Sequence, residues 1–193
     1  MALTIFSAPA VEPLTLQETK DHLRVDTSDD DALISALITA ARQNIADLDG
    51  HLGRCLITQT LDWHLDGFPS NALSVPRPPL QSVTSISYVD ENGAAQTWGA
   101  TKYTVDVKSH PGRIVPAYGE SYPSTRDVPN AVAVRFVAGY GLAGDSVPAP
   151  IRAAMLLHIH DLYDRRGTHV IGDSFEATPA IKALLAPYQI YKF

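Results

Sequence analysis

The apolar residues of this 193-residue chain change their spacing twice, and that change limits the folds available to it. Between residues 34 and 52 they recur at steps of three and four, which is the period of an amphipathic helix. Between residues 58 and 137 the period is two, which is typical of half-buried strands. After Pro150 the helical spacing returns. The helical stripe of the first segment consists of Ile34, Leu37, Ile38, Ala41, Ile45, Leu48 and Leu52.

Local signals place three further helices. Thr15 and Glu18 have the spacing of a capping box, in which the hydroxyl accepts from an amide three residues on, and predict a short helix to about Arg24. A proline in the first turn favours a helix start, so a long helix is expected to begin at Pro148-Ala-Pro150 and to run to about Arg166. A last short helix is expected over residues 179–186.

The middle segment predicts a sheet with short connections. Residues 82–90 alternate like a strand and are followed by Asn92 and Gly93, a dipeptide that favours the tight turn of a hairpin. Parallel neighbours need crossover connections of a dozen or more residues, and the spacings here leave no room for crossover helices. The strands are therefore expected to be antiparallel.

The order of elements predicts an α+β fold. The N-terminal helices, in residues 1–57, are expected to pack with the C-terminal helices, loop and tail of residues 139–193 as a small bundle. Residues 58–138 are expected to form an antiparallel β subdomain inserted between them. A loop is expected over residues 167–178, which are rich in Gly, Ser, Thr and Asp.

Composition excludes several classes of protein. The net charge is −6, whereas a protein that coats nucleic acid needs clustered Lys and Arg. Cys55 is the single cysteine, so neither an internal disulfide nor a Cys-rich zinc site can form; a small buried thiol is expected there. The N-terminus lacks the pattern of a secretory signal, and no apolar run reaches the ~20 residues that span a bilayer. A soluble protein made in a reducing cytoplasm is expected.

The run MLLHIHDLYDRRG at residues 155–167 offers the strongest candidate for chemistry. His158 and His160 lie about 200° apart on a helix and cannot bind one ion. His158 with Asp161, and His160 with Asp164, each give only two ligands, whereas zinc sites need at least three from the protein. An amphipathic packing helix with His–Asp pairs on its flanks is the favoured interpretation, and a metal-dependent enzyme is the alternative.

The glycines at 139, 141 and 144 match G-x-G-x-x-G after a strand. In a dinucleotide site these glycines open directly into a helix whose N-terminus holds the pyrophosphate. Here Asp145-Ser-Val-Pro-Ala-Pro150 intervenes after Gly144, and no parallel strand follows. A glycine-rich turn between a strand and a helix is the better interpretation.

The chain resembles the head–tail connector, or adaptor, proteins of long-tailed bacteriophages and related gene-transfer particles. The matching segments keep their order and spacing through most of the chain, and include LTLQETKDHLRV running into DDDALI, LGRCLITQT and PRPPLQSVTSI. Later matches are PGRI, VRFVAGYG and VPAPIRAA. No single segment identifies the family, but their arrangement together is characteristic.

The resemblance implies a structural virion protein with no catalytic residues, no cofactor and no metal. Such adaptors form a ring, usually of twelve copies, below the portal protein at the head–tail junction, and present a platform to stopper or tail-completion proteins. DNA passes through the ring without specific binding. In related connectors the C-terminal segment docks onto the portal, which by analogy assigns the portal contact to Tyr188, Ile190, Tyr191 and Phe193. A tail folded back on its own core and a monomeric interaction module remain the alternatives.

Overall fold

The computed structural model describes residues 2–46, 50–164 and 178–190. Two compact units make up the chain: the first is Met1–Ala10 with Thr58–Tyr140, and the second is Val11–Ile57 with Gly141–Phe193. The described residues contain four α-helices together with antiparallel strands. The predicted α+β class is therefore confirmed.

The second unit contains the helices: α1 (Leu16–Leu23), α2 (Asp31–Ala46), α3 (Ala149–Asp164) and α4 (Pro179–Leu185). Helix α2 contacts both α1 and α3, and α3 also contacts α1 and α4. The helices from the two ends of the chain thus pack together, as the order of elements predicted. Their shared core consists of apolar side chains that are almost fully buried: Ile34, Ile38, Ala41, Ile45, Ile151, Ala154, Met155, Ile159, Ile181 and Leu185.

The start of α1 shows how an ion pair between helices replaces half of a local motif. The Thr15 hydroxyl accepts from the amide of Glu18 at 3.1 Å, as the capping box requires. The Glu18 carboxylate does not close the box; it accepts a 2.5 Å hydrogen bond from Arg152 of α3. A charge-assisted bond is roughly twice as strong as a neutral one, so the side chain serves packing between helices rather than the cap.

Two acidic residues near the start of α2 join it to its neighbours. Asp30 accepts from the hydroxyl of Tyr163 in α3 at 2.6 Å. Asp31, in the first turn of α2, pairs with Lys20 of α1 at 2.6 Å. Acidic side chains are favourable at a helix N-terminus, and here they also fix the positions of α1 and α3.

The described part of the first unit contains eight strands in two antiparallel sheets. The five-stranded sheet has the order β1-β2-β8-β4-β5 and the three-stranded sheet the order β3-β7-β6. The strands are β1 (Ala2–Ser7), β2 (Gln59–Leu65), β3 (Leu73–Val75), β4 (Leu80–Val89), β5 (Ala95–Thr97), β6 (Tyr103–Asp106), β7 (Gly112–Pro116) and β8 (Val132–Ala138). The predicted hairpin at Asn92-Gly93 is the β4–β5 connection; Gly93 takes a φ of +86°, which glycine adopts without strain.

The register of the larger sheet separates an inner face from an outer one. Leu61, Trp63 and Leu65 of β2 are buried and alternate with less buried residues. On the outer face, one row runs through cross-strand neighbours from β1 to β5: Ala2, His64, Ala133, Ser87 and Thr97. Successive side chains point to opposite faces of a strand. The face opposite these small and polar residues is therefore the one that packs in the core.

The two sheets of this unit are joined by close packing and an aromatic cluster. A Cβ on Gly112 of β7 would lie 2.6 Å from a methyl of Leu80 in β4, so glycine is needed there for the strands to approach. Trp98 contacts Phe68, Tyr103 and Tyr122 at ring-centroid distances of 5.1–5.4 Å. Offset and tilted aromatic pairs add stability beyond their buried area.

Strand β1 was not predicted. The sequence pattern placed the first residues with the N-terminal helices, whereas residues 2–7 pair with β2 and form an edge of the five-stranded sheet. The boundaries of β4 also differ slightly, since a strand was predicted over residues 82–90 and the structure has Leu80–Val89.

Candidate functional site

The histidine-containing face of α3 is the first site to consider, and its two histidines lie in different environments. His158 is 5% exposed, and its Nε2 lies 3.2 Å from Nδ2 of Asn44 in α2. Burial lowers the pKa of His158 from its ordinary value of 6.5, while the Asp161 carboxylate opposes this shift. Such a histidine is neutral near pH 7 and belongs to the core between α2 and α3.

His160 lies on the exposed side of the same helix. Its Nε2 is 3.2 Å from the Asp164 carboxylate, which is the i, i+4 pair expected from the sequence. Its ring also meets His22 of α1 edge to face, with centroids 5.9 Å apart. Within residues 2–46, 50–164 and 178–190, no three His, Cys, Asp or Glu side chains are grouped so that they could hold a metal ion. The structure gives the metal-dependent alternative no support.

The glycine-rich segment also lacks the geometry of a nucleotide site. A short 3-10 helix, Gly144–Ser146, follows the glycines, and α3 begins only at Ala149. Gly144 is required for packing, because a Cβ there would lie 2.5 Å from the carbonyl oxygen of Pro13. The predicted turn between strand and helix is what the structure has. Cys55 is 2% exposed, so the expected buried thiol is confirmed.

The C-terminal segment is held against the turn that follows α2. Thr178 caps α4, and the buried side chains of Ile181 and Leu185 fix this helix on the core. Beyond it, Nε of Arg54 donates to the backbone oxygen of Tyr188 at 2.5 Å. The side chains of Gln189 and His51 are also in hydrogen-bond contact.

Of the four proposed portal-contact residues, the structure describes two. Tyr188 and Ile190 are both half-buried. Tyr191 and Phe193 lie outside the described residues, as does most of the predicted loop at residues 167–178. The segment is therefore folded onto its own unit as far as Gln189, and the predicted portal contact stays a prediction.

The outer face of the five-stranded sheet has a charged pair that sequence spacing could not reveal. Arg135 of β8 donates two hydrogen bonds of 2.7 Å to Asp62 of β2. The bonds from Arg135 hold the pKa of the Asp62 carboxyl below its usual range. The guanidinium carbon of Arg135 also lies 3.4 Å from the ring centre of Phe6 in β1. This stack adds to the backbone pairing with β2 in attaching β1, none of whose side chains is buried.

Apolar side chains are exposed at several places that the sequence did not identify. Ile5 and Phe6 of β1 are 44% and 58% exposed. Tyr118, after β7, and Leu142, after β8, are also exposed. Large contiguous apolar patches mark interaction sites, whereas single exposed apolar side chains are normal, so these residues do not by themselves define a site. No helix in the described part of the chain is long and apolar enough to cross a membrane.

Comparison with known proteins shows what the chain resembles. Residues 13–105 match the family model described as "Phage gp6-like head-tail connector protein". This match confirms the resemblance noted in the sequence. None of the curated proteins matches the chain.

Solved structures show the same fold over the whole chain. One is described as "Neck of empty GTA particle computed with C6 symmetry", with a TM-score of 0.78 and 24% identity. Another is described as "Virion of native gene transfer agent (GTA) particle", with a TM-score of 0.77 and 23% identity. A third, "Neck of native GTA particle computed with C12 symmetry", has a TM-score of 0.72 and 20% identity. Each covers 100% of this chain and 97% of the other.

Proposed function

We propose that this chain, in which residues 13–105 match the head–tail connector family, is a structural subunit of the neck of a tailed particle. Twelve copies form a ring below the portal protein, join the DNA-filled head to the tail and extend the DNA channel. The observation that carries the proposal is the family match, together with a fold shared over the whole chain with proteins of particle necks.

Symmetry and charge are compatible with this role. One related neck was computed with C12 symmetry and another with C6 symmetry, and a ring of twelve copies satisfies both. The net charge of −6 disfavours a wall that binds DNA through many Lys–phosphate contacts. DNA thus passes through the channel and is released from it. The chain acts by assembly and has no turnover of its own.

The portal contact is assigned to the C-terminal segment, Tyr188, Ile190, Tyr191 and Phe193. The bond from Arg54 to the backbone of Tyr188 fixes the start of this segment on the helical unit. A fixed start reduces the conformational entropy lost on binding, and aromatic side chains are frequent anchors at interfaces. The opposite end of the ring meets a stopper or tail-completion protein.

The proposal is tested by deleting the gene from its parent element and examining the particles by electron microscopy. Filled heads and free tails that accumulate unjoined, or filled heads that leak DNA, are the expected result. Intact tailed particles at normal yield would overturn the connector function.

The portal contact needs its own variants. Tyr191→Ala combined with Phe193→Ala is expected to abolish co-purification with the portal protein, because both anchors are lost. Tyr118→Ala is the matched control, since it removes an exposed tyrosine from the other unit. Equal recovery of portal with both variants would move the contact away from the C-terminal segment while leaving the connector function intact.

A further inference from the structure

Among the described residues, the five-stranded sheet ends in two edges, β1 and β5, on which no further strand pairs. All three residues of β5 and five of the six in β1 are exposed. Neither strand contains a charged residue or a proline. Natural proteins usually protect an edge with lysine, proline or a covering element, because unpaired backbone groups bind other strands. The bulge of β1 lies only at its end, between Ile5 and Ser7. These edges are suited to pairing.

The backbone groups on the open side of β5 follow from its hydrogen bonds to β4. The amide of Trp98 donates to the oxygen of Ile86 at 2.8 Å. In an antiparallel pair, alternate residues point their N–H and C=O groups to opposite sides. Gln96 therefore points towards β4, whereas Ala95 and Thr97 direct their groups to the open edge.

The same alternation identifies the open groups of β1. Just before β8, the backbone oxygen of Ala131 accepts from the amide of Val89 in β4. Just after β8, the amide of Gly139 donates to the oxygen of Pro79. The backbone groups of the odd-numbered residues of β8 therefore point towards β4. The even-numbered residues of β8 therefore point towards β2 and pair there with odd-numbered residues, so the even-numbered residues of β2 point towards β1. Their partners in β1 are Ala2 and Thr4, whose backbone groups point towards β2. The backbone groups of Leu3 and Ile5 are left at the open edge.

Direction and faces make the two edges compatible with one another. Four successive antiparallel pairings connect β1 to β5, so the two strands run parallel. In a parallel pair, the outward groups of one strand lie between those of the other. Leu3 can thus bond to both Ala95 and Thr97, and Ile5 to Thr97. This register places Thr4 across from Thr97, and both belong to the outer face of the sheet.

We propose that β1 of one copy pairs in parallel with β5 of the next copy, so that the five-stranded sheets are joined around the ring. The inference rests on the ring function proposed above. A ring requires a head-to-tail contact between two different surfaces of one chain, and opposite edges of one sheet supply such surfaces. A second copy is the occupant because it carries both edges, and uncharged edges let two chains of net charge −6 meet without like charges in contact.

A pair of cysteines tests the contact in assembled particles. Neighbouring strands lie about 4.8 Å apart, so Cα atoms at positions 4 and 97 fall within the roughly 4.4–6.8 Å range of disulfides. The chain with Thr4→Cys and Thr97→Cys is introduced in place of the wild type, and purified particles are oxidised and separated on non-reducing gels. A ladder of covalent multimers is expected. Cys55 is buried and stays in place.

The single variants and a mismatched pair are the controls. Thr4→Cys alone, Thr97→Cys alone and Thr4→Cys with Glu120→Cys are all expected to remain monomeric. Dimers from Thr4→Cys alone would mean that β1 pairs with β1, which overturns the proposal. A monomeric Thr4→Cys/Thr97→Cys chain in particles that contain it would also overturn the strand pairing and leave the connector function standing. Joined particles without the chain would instead refute the connector function.

A proline variant tests the backbone bond itself. Thr97→Pro removes an amide that points to the open edge and leaves the pairing of β5 with β4 intact, because proline is tolerated where the N–H faces away from the ladder. Isolated Thr97→Pro protein is expected to keep the far-ultraviolet circular dichroism of the wild type and to lose at least tenfold in joined particles. Joined particles at wild-type yield with this variant would contradict the proposed pairing.

Discussion

Replacing His158 is expected to remove a pH dependence of folding stability. Because burial lowers the pKa of His158 in the folded chain, the unfolded chain binds more protons below the ordinary pKa of about 6.5. The stability contributed by neutral His158 is therefore complete above that pH and is lost as the pH falls towards the pKa of His158 in the folded chain. One proton changes the free energy of unfolding by at most about 1.4 kcal/mol per pH unit. The 5% exposure of the side chain leaves little solvent to reduce this effect.

Urea denaturation from about pH 7.5 to about pH 5 measures this effect. The wild type is expected to lose stability across this range relative to His158→Gln, which keeps a neutral polar group near Asn44. His160→Gln is the matched control for the loss of an imidazole from this helix, because His160 lies on its exposed side. Parallel profiles for the wild type and His158→Gln would refute the assignment of His158 as a buried neutral histidine.

Two further substitutions test the helical unit and the turns that position it. Gly144→Ala places a Cβ 2.5 Å from the backbone of Pro13. Such overpacking should lower the free energy of unfolding, measured by heat or urea, by about 1–3 kcal/mol. Gly99→Ala is the control and should leave the free energy of unfolding unchanged, because the nearest atom is 4.0 Å away and φ is −60°. Thr15→Ala removes the hydroxyl that caps α1 and should cost about 1 kcal/mol, whereas Thr15→Ser should stay close to wild type. A Gly144→Ala chain as stable as Gly99→Ala, or a Thr15→Ala chain as stable as Thr15→Ser, would contradict these local accounts.

Elements with strong local signals could be predicted from the sequence. The stripe of α2 has a period that fits only a helix, and the hydroxyl of Thr15 caps α1 as its spacing predicted. Gly93 occupies a turn with positive φ, where its lack of a Cβ matters. In each case the deciding interaction lies within a few residues, so the sequence contains all of it.

What could not be predicted depends on contacts between distant residues. Strand β1 is short and at an edge, and its attachment comes from pairing with β2 and from the stack of Phe6 on Arg135, 129 positions later in the chain. Likewise, the helical pattern put His158 on the flank of an amphipathic helix, whereas packing against α2 buries it. Glu18 had the spacing of a capping residue, but Arg152 of α3 binds it instead.

Salt dependence gives a last test of how copies of this chain meet. If the contact is made by uncharged edges of chains that each carry −6, the electrostatic term between copies is repulsive and long-ranged. Raising ionic strength from about 0.05 M to about 0.5 M shortens the screening length from above 10 Å to a few Å, so association of purified copies should strengthen. A contact made of complementary charges would weaken over the same range. The assay is oxidation of the isolated Thr4→Cys/Thr97→Cys chain across this range of ionic strength, with the yield of covalent multimers as the readout. A yield that falls as salt rises would mean that charged pairs, rather than the edges of the sheet, hold the copies together.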